Sequence, residues 1–204
     1  MTTITRQTVQ PLSAGKPQST LQRVALRTGT VVLATAFIAV CAHVALPLPF
    51  SLVPLTLQTF AVLLIGFTFG PRMAGTTLVL YLAEGVCGLP VFAPSTLGLT
   101  GMAQLMGPTG GYLLAYPLAA VCAGFVGIRL ARNMPRMAAY CIAGVCATCI
   151  VLAQGASWLG AYTHASASVS LMQGVVPFLP GEAVKILAAA GIASAWTRLR
   201  KNAA

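Results

Sequence analysis

The sequence predicts an all-α, polytopic membrane protein with six transmembrane helices and both termini in the cytoplasm. Three observations lead to this fold class. Hydrophobic residues make up 57% of the 204 residues and charged residues only 7%, which is too little charge to cover the surface of a soluble domain. Apolar stretches long enough to cross a bilayer recur along the chain. Basic residues fall in alternate connections between these stretches.

Each predicted helix corresponds to one apolar stretch of about 20 residues, the length that crosses about 30 Å of hydrocarbon. Transmembrane β-strands would instead alternate in polarity over about 10 residues, and this chain lacks that pattern. Residues 1–26 are interpreted as a flexible cytoplasmic segment, 27–197 as the membrane domain and 198–204 as a cytoplasmic tail. The predicted spans are residues 27–46, 52–70, 73–90, 110–130, 137–162 and 174–197.

The positions of Lys and Arg set the orientation of the helices. Basic residues precede the first span, lie after the second and fourth spans, and follow the sixth. The other connections, around 47–51, 91–109 and 163–173, contain no Lys or Arg. Because cytoplasmic connections are enriched in these residues, the alternation places both termini in the cytoplasm. The net charge of +10 therefore reflects membrane topology, with the lipid bilayer as surroundings and no nucleic acid as a partner.

Glu182 and Lys185 in the sixth span are the most informative polar residues. Glu182 is one of only 2 acidic residues in the chain, and the topology rule does not explain Lys185. A lysine near the middle of a membrane helix costs roughly 2.5–3.5 kcal/mol, so it is rarely present without a role. Residues three apart share one helix face. The pair predicts a site for a polar ligand inside the bundle, and the alternative is an ion pair that only fixes helix packing.

Further polar and aromatic residues lie in the outer halves of the predicted helices. Gln58 lies about two turns into the second span, Tyr81 and Glu84 share a face of the third, and Tyr112 begins the fourth. The connection 91–109 is long, uncharged and rich in Gly, Pro, Ser and Thr, which is typical of lids and binding loops. These positions predict a pocket that opens outward beneath that connection.

The sequence contains no motif for catalysis or metal binding. It lacks the Gly-Lys-Ser/Thr of a phosphate-binding loop and the His-Glu-x-x-His of zinc proteases. Cys146 and Cys149 have the spacing of a metal or redox pair, but no second pair or nearby His completes a zinc site. We therefore predict a binding or transport protein without enzymatic activity, cofactor or metal ion.

Four sequence blocks resemble the biotin-specific substrate-binding (S) component of energy-coupling-factor (ECF) vitamin transporters. The blocks are VPLTLQT (53–59), YLAEG with GLPVFA (81–93), GPTGGYL (107–113) and LPGEAVK (179–185). The resemblance implies a six-helix protein of the bacterial inner membrane that binds biotin with high affinity on the outer side. It also implies two kinds of partner, a transmembrane coupling protein and cytoplasmic ATPase subunits that supply the energy.

The chemistry of biotin suggests roles for the predicted site residues. Biotin carries a neutral ureido ring, an apolar thioether ring and a carboxylated tail. The Glu182 carboxylate can accept the ureido N–H groups, and Lys185 or Gln58 can donate to a ligand oxygen. Members of the resembling family usually have Asp where Glu182 stands. The predicted substrate-binding residues are Gln58, Tyr81, Glu84, Phe92, Tyr112, Glu182 and Lys185, in which the aromatic rings line the apolar part of the pocket.

A proton-coupled secondary carrier for a small carboxylated solute is the alternative function. Glu84 and Glu182 would then be proton-relay groups, and an uncoupler would collapse uptake without any ATPase partner. Carriers of this kind are commonly built from inverted repeats, which this sequence does not show. A membrane-embedded enzyme is the third possibility, and no motif in the chain favours it.

Overall fold

The computed structural model describes residues 20–202, with the side chains of Thr20, Arg23, Lys201 and Asn202 excepted. Most of the predicted flexible segment, residues 1–19, and the last two residues of the predicted tail lie outside the described residues. The described chain forms long helices linked by short irregular segments. Its elements are α1 (Thr20–His43), β1 (Ala45–Leu46), β2 (Leu55–Thr56), α2 (Gln58–Phe69), α3 (Pro71–Val86), α4 (Gly101–Leu105), α5 (Gly110–Leu130), α6 (Arg136–Thr163), α7 (Ala167–Gly174), a 3-10 turn (Val176–Phe178) and α8 (Leu179–Asn202).

Each of the six predicted spans contains one principal helix, but these helices differ in length. Within residues 20–202, four segments are long and apolar enough to cross a membrane, in α1, α5, α6 and the stretch from α7 to α8. α2 has 12 residues and α3 has 16. At about 1.5 Å per residue they are shorter than the hydrocarbon thickness of about 30 Å. The helical membrane class is confirmed, and the number of full crossings stays a prediction.

Apolar side chains cover the outer surface of the long helices. Soluble monomers rarely expose large contiguous apolar patches, whereas lipid is a suitable environment for such a surface. The surface therefore faces the acyl chains of a bilayer. Exposed large residues on five helices include Leu33, Val40, Val79, Leu118, Phe125, Val145, Val184 and Leu187.

The second predicted span starts too early in the chain. The sequence places its start at residue 52, whereas α2 begins at Gln58. Pro54 lacks an N–H group and disfavours a helical conformation in the preceding residue. The chain stays extended beyond it, and the two-residue strands β1 and β2 pair antiparallel with Ala45 opposite Thr56. Gln58 is therefore the first residue of α2 and not a residue two turns into it.

The sixth predicted span, residues 174–197, is interrupted at its N-terminal end. α7 ends at Gly174, a 3-10 turn follows, and α8 starts only at Leu179. Pro177 and Pro180 explain the interruption, because proline suits the first turn of a helix and breaks the interior of one. Glu182 consequently lies in the first turn of α8, where the positive end of the helix dipole favours a carboxylate.

Small residues allow α5 to pack closely on its neighbours. α5 forms its most extensive interface with α6 and also packs on α2 and α3. A Cβ atom added at Gly124 of α5 would lie 2.8 Å from the carbonyl oxygen of Gly66 in α2. A Cβ atom added at Gly155 of α6 would overlap the ring of Tyr112. Glycines of this kind are typical of packed membrane helices. Here they let α2 approach α5, and they let the Tyr112 ring of α5 pack on α6.

Candidate binding site

A cavity with an empty volume of about 510 Å³ lies where α2 and α8 begin, against α5 and α6. This volume includes space that is open to solvent. Apolar walls come from both long helices, and the polar side chains converge from four elements. Those polar residues are buried, with exposed fractions between 2% and 7%, so they are largely shielded from solvent. They are Gln58, Thr59, Gln104, Tyr116, Glu182 and Lys185.

The predicted pair of Glu182 and Lys185 forms a buried salt bridge in this cavity. Lys185 Nζ lies 2.7 Å from Glu182 Oε1. Thr59 of α2 donates to the same carboxylate oxygen at 2.9 Å, and Lys185 Nζ donates to the Thr59 hydroxyl at 3.4 Å. Thr59 therefore links α2 to the charged pair on α8. Thr59 is not among the predicted substrate-binding residues, although it directly follows Gln58 in the block VPLTLQT.

The second oxygen of the Glu182 carboxylate has no partner. Oε2 is buried and makes no hydrogen bond to any described residue. Leaving a buried polar atom unsatisfied costs about 1–3 kcal/mol, and more for a charged group. Because Glu182 lines the cavity, a ligand N–H group placed there would remove this cost. The site is thus suited to a ligand that donates a hydrogen bond to a carboxylate.

Gln58 is held in position by two tyrosines. Its Nε2 donates to the hydroxyl of Tyr81 at 2.6 Å, and that hydroxyl donates to the carbonyl oxygen of Val91 at 2.8 Å. Tyr116 of α5 donates to the Gln58 Oε1 atom over a longer distance of 3.5 Å. Tyr81 is fully buried behind Gln58 and is not among the cavity-lining residues. Its position is that of a support for Gln58.

Phe92 and Tyr112, the other predicted aromatic residues, differ in their relation to the cavity. Phe92 packs edge-on against Tyr81 with ring centroids 5.5 Å apart, and it occupies the space beside Gly85 that any larger side chain would fill. Tyr112 lines the cavity, and its hydroxyl donates to the carbonyl oxygen of Gly174 at 2.7 Å. Phe92 therefore supports the site from behind, whereas Tyr112 forms part of its wall.

The structure places Glu84 away from the cavity. Its Oε1 atom accepts a hydrogen bond from Thr35 of α1 at 3.0 Å. Tyr81 and Glu84 are three residues apart and so point about 60° apart around α3. This difference is enough to direct Tyr81 towards α2 and Glu84 towards α1. Of the predicted residues, the cavity thus brings together Gln58, Tyr112, Glu182 and Lys185.

The segment before α5 forms a roof over the cavity, and we use "the roof" for residues 87–109. Ala93, Gln104 and Thr109 of the roof line the cavity. Gln104, in the short helix α4, donates to the carbonyl oxygen of Ala93 at 2.6 Å. Trp158 of α6 donates to the carbonyl oxygen of Gly107 at 2.9 Å. The first bond is internal to the roof, and the second holds the roof against α6.

Two of the buried polar residues of the cavity besides Thr59, Tyr116 and Gln104, are absent from the sequence-based set. Tyr116 follows Tyr112 by four residues in α5, and this helical spacing places both on the cavity side. The spacing was a usable signal for Tyr116. Gln104 had none, because its position depends on the fold of the roof.

The fold and the cavity define a multi-pass helical membrane protein with a polar cavity between its helices. Comparison with protein families identifies the group to which it belongs. The model of the BioY family matches residues 16–202, so this chain belongs to the BioY family. The family is one of transporters and not of enzymes.

Individual relatives agree with this assignment. The biotin transporter BioY of Thermotoga maritima is 37% identical over 168 residues, which are 82% of this chain and 91% of the relative. The probable biotin transporter BioY of Pyrococcus horikoshii is 34% identical over 150 residues, 74% of this chain and 82% of the relative. The biotin transporter BioY of Rhodobacter capsulatus is 32% identical over 167 residues, 78% and 86% of the respective chains.

A solved structure has the same fold. The S-component for biotin from an ECF-type ABC transporter matches with a TM-score of 0.77 and 26% sequence identity, covering 91% of this chain and 95% of that one. The comparisons confirm the predicted resemblance and the location in the bacterial inner membrane.

Removing either member of the buried ion pair is expected to destabilise the protein strongly. Removing both should cost less than the sum of the two single losses. Glu182→Gln leaves an unpaired lysine and Lys185→Met leaves an unpaired carboxylate, and each costs about 3–5 kcal/mol. The double variant should recover about 0.5–3 kcal/mol relative to the sum of the single variants. Denaturant unfolding of ligand-free protein in detergent measures these values. Arg198→Gln, in an exposed position on α8, is the control, and additive effects would contradict the coupling.

Proposed function

We propose that this protein binds biotin with high affinity in the cavity beneath residues 91–109. In this role it is the substrate-specific component of an ECF-type ABC transporter that takes up biotin across the inner membrane. Family membership and the biotin-specific relatives support the substrate class. The observation that carries the proposal is the cavity in which a buried, salt-bridged carboxylate retains an unpartnered oxygen.

The cavity offers groups that complement each part of biotin. The ureido ring donates two N–H groups, and Glu182 Oε2 is a free acceptor. Lys185 and the Gln58 amide can donate to a ligand oxygen. The thioether ring and the alkyl tail require apolar contacts, which Tyr112 and Phe178 provide where they line the cavity. Biotin thus satisfies both the charged pair and the apolar walls, whereas a wholly polar solute satisfies only the first.

The proposed topology has six membrane crossings with both termini in the cytoplasm. α2 and α3 are joined by the tight turn at Gly70, beside the basic residue Arg72. Both helices are too short to span the hydrocarbon alone, so the irregular segments 44–57 and 87–100 complete their outer ends. Irregular backbone at membrane depth is tolerated where it is covered by protein or lines a cavity. The cavity therefore lies in the outer half, and the roof must move to admit biotin.

Transport further requires an energy source, which the proposed partners supply. The sequence has no phosphate-binding loop, so we assign ATP hydrolysis to separate cytoplasmic ATPase subunits, linked through a transmembrane coupling protein. The alternative of a proton-coupled carrier needs Glu84 and Glu182 in one relay. Glu84 instead bonds to Thr35 of α1, and Glu182 bonds to Thr59 of α2 and Lys185. This separation favours a binding component over a carrier.

Calorimetric titration of biotin into ligand-free, detergent-purified protein is the first test. We expect tight binding of one biotin per chain. Desthiobiotin keeps the ureido ring and the tail but lacks the sulfur, so it should bind only modestly more weakly. Lipoic acid has a carboxylated tail and a sulfur ring but no ureido group, and it should not compete. Absence of heat from protein shown to be folded, or equal binding of lipoic acid, would contradict biotin as the substrate.

Lys185→Ala is expected to weaken biotin binding at least tenfold. A hydrogen bond from a charged group contributes about 1.5–3 kcal/mol, and about 1.4 kcal/mol corresponds to a factor of ten in Kd. Arg198→Ala is the matched control, because it removes a cation from an exposed position of the same helix. Glu182→Gln separates the two interpretations of the pair. If the pair is only structural, this variant loses thermal stability and keeps its affinity for biotin.

Uptake of labelled biotin should depend on ATP hydrolysis by the partners. Cells that produce this chain together with the coupling protein and active ATPase subunits should accumulate biotin faster than cells in which inactivated ATPase subunits replace the active ones. The initial rate should persist for a short time after an uncoupler is added, because ATP rather than the proton gradient drives it. Uptake that collapses at once with the uncoupler and ignores the ATPase variant would indicate the secondary carrier instead.

A further inference from the structure

A second cavity lies at the other end of α2, remote from the ligand cavity. Arg27 of α1 and Arg72 of α3 both line it, together with the turn at Gly70 and the apolar residues Val31 and Phe69. Both arginines are exposed. The ligand cavity is at the first turn of α2, and Phe69 is the last residue of that helix. We call this basic site the arginine pocket.

The arginine pocket has no carboxylate of this chain to balance it. The chain has only 2 acidic residues, and the one salt bridge among the described residues joins Glu182 to Lys185. Glu84 bonds to Thr35. Along α3 it is about 18 Å from Arg72, and along α1 Thr35 is about 12 Å from Arg27. Any counter-ion that binds between the two arginines therefore comes from outside the described residues.

An apolar groove continues from the arginine pocket along the bundle. It has an empty volume of about 870 Å³ and runs between α1, α2 and α8, where Leu33, Phe37, Leu64 and Ile192 line it. Phe69 lines both the groove and the pocket, so the two adjoin at this residue.

The dimensions of the groove match one leaflet of a bilayer. Arg27 and Phe37 are ten residues apart on α1, which corresponds to about 15 Å. The hydrocarbon core is about 30 Å thick, so one leaflet is about half of that. A basic pocket at the end of an apolar groove of this length has the chemical form of a phospholipid site.

We propose that the arginine pocket and the groove together bind an anionic phospholipid. Its phosphate lies between Arg27 and Arg72, and one acyl chain fills the groove beside Phe69. In the topology proposed above this is the cytoplasmic leaflet, where anionic lipids are enriched and basic pockets between helices bind their headgroups. The charge and the apolar length of the site together select a lipid over a free phosphate ion.

Binding of this lipid would hold α1 against the rest of the bundle. Only 22% of the membrane-spanning window of α1 is buried, compared with 44% for α5 and for α6. A lipid that contacts α1, α2 and α8 along the groove adds packing where the protein supplies little. We therefore expect the lipid to stabilise the fold as well as to bind.

The test compares phosphatidylglycerol with phosphatidylcholine of the same acyl chains, titrated into delipidated protein and followed by native mass spectrometry. Each surface arginine favours an anionic lipid by roughly fivefold, so the double variant Arg27→Gln/Arg72→Gln should lose a preference of roughly 25-fold. Arg132→Gln is the control. It removes an exposed cation from the connection between α5 and α6, which is not part of the pocket.

Two further arms separate the lipid site from simpler explanations. Short-chain phosphatidylglycerol should bind more weakly than the long-chain lipid, because it leaves the groove empty. Inorganic phosphate at the same concentration should neither compete nor raise the melting temperature. The proposal is overturned if the double variant, shown to be helical and monodisperse, keeps its lipid preference. It is equally overturned if Arg132→Gln loses as much, or if phosphate competes as well as the lipid.

Discussion

The buried contact between Glu182, Lys185 and Thr59 is the constraint around which the cavity end of this protein is organised. Charges inside a bilayer are costly unless they pair with each other and with hydrogen-bonding groups. Here one carboxylate oxygen, Glu182 Oε1, accepts hydrogen bonds from both Lys185 and Thr59. To make these contacts, the first turn of α2 must meet the first turn of α8, although the residues involved are 126 positions apart in the chain. The cavity is the space that remains around this meeting point.

Interrupted helices make that space possible. α2 and α8 both begin late, after extended or 3-10 segments that contain prolines. If either helix continued outward, its backbone would fill the volume that the polar side chains now surround. Some backbone hydrogen-bonding groups of the extended segment before α2 find partners in the β1–β2 pairing, and Leu57 N donates to Val44 O at 3.0 Å. Membrane proteins tolerate such breaks where the segment lines a cavity, and this cavity meets that condition.

Hydropathy predicted the membrane class and the order of the main helices, and the spacing of Glu182 and Lys185 predicted their shared face. Hydropathy alone could not predict where helices begin, because a helical and an extended apolar segment have the same mean hydropathy. In residues 52–55 the signal against a helix is Pro54, which hydropathy does not register. The role of Tyr81 was equally hidden. A tyrosine near polar residues suggests a ligand contact. The Tyr81 hydroxyl instead accepts a hydrogen bond from Gln58 and donates its proton to the carbonyl oxygen of Val91. Positions of this kind depend on contacts between distant segments, which a single sequence does not contain.

α2 connects the two sites that this structure contains. Its first turn supplies Gln58 and Thr59 to the ligand cavity, and its last residue, Phe69, lies at the arginine pocket. α2 has only 12 residues, so the two sites lie about 17 Å apart along one helix. α1 contacts α2 along this length and also bonds to α3 through Thr35 and Glu84. Of the four segments within residues 20–202 that are long enough to cross a membrane, α1 is the least buried, at 22% of its window, so its position depends on these contacts with α2 and α3 and on the lipid proposed for the groove.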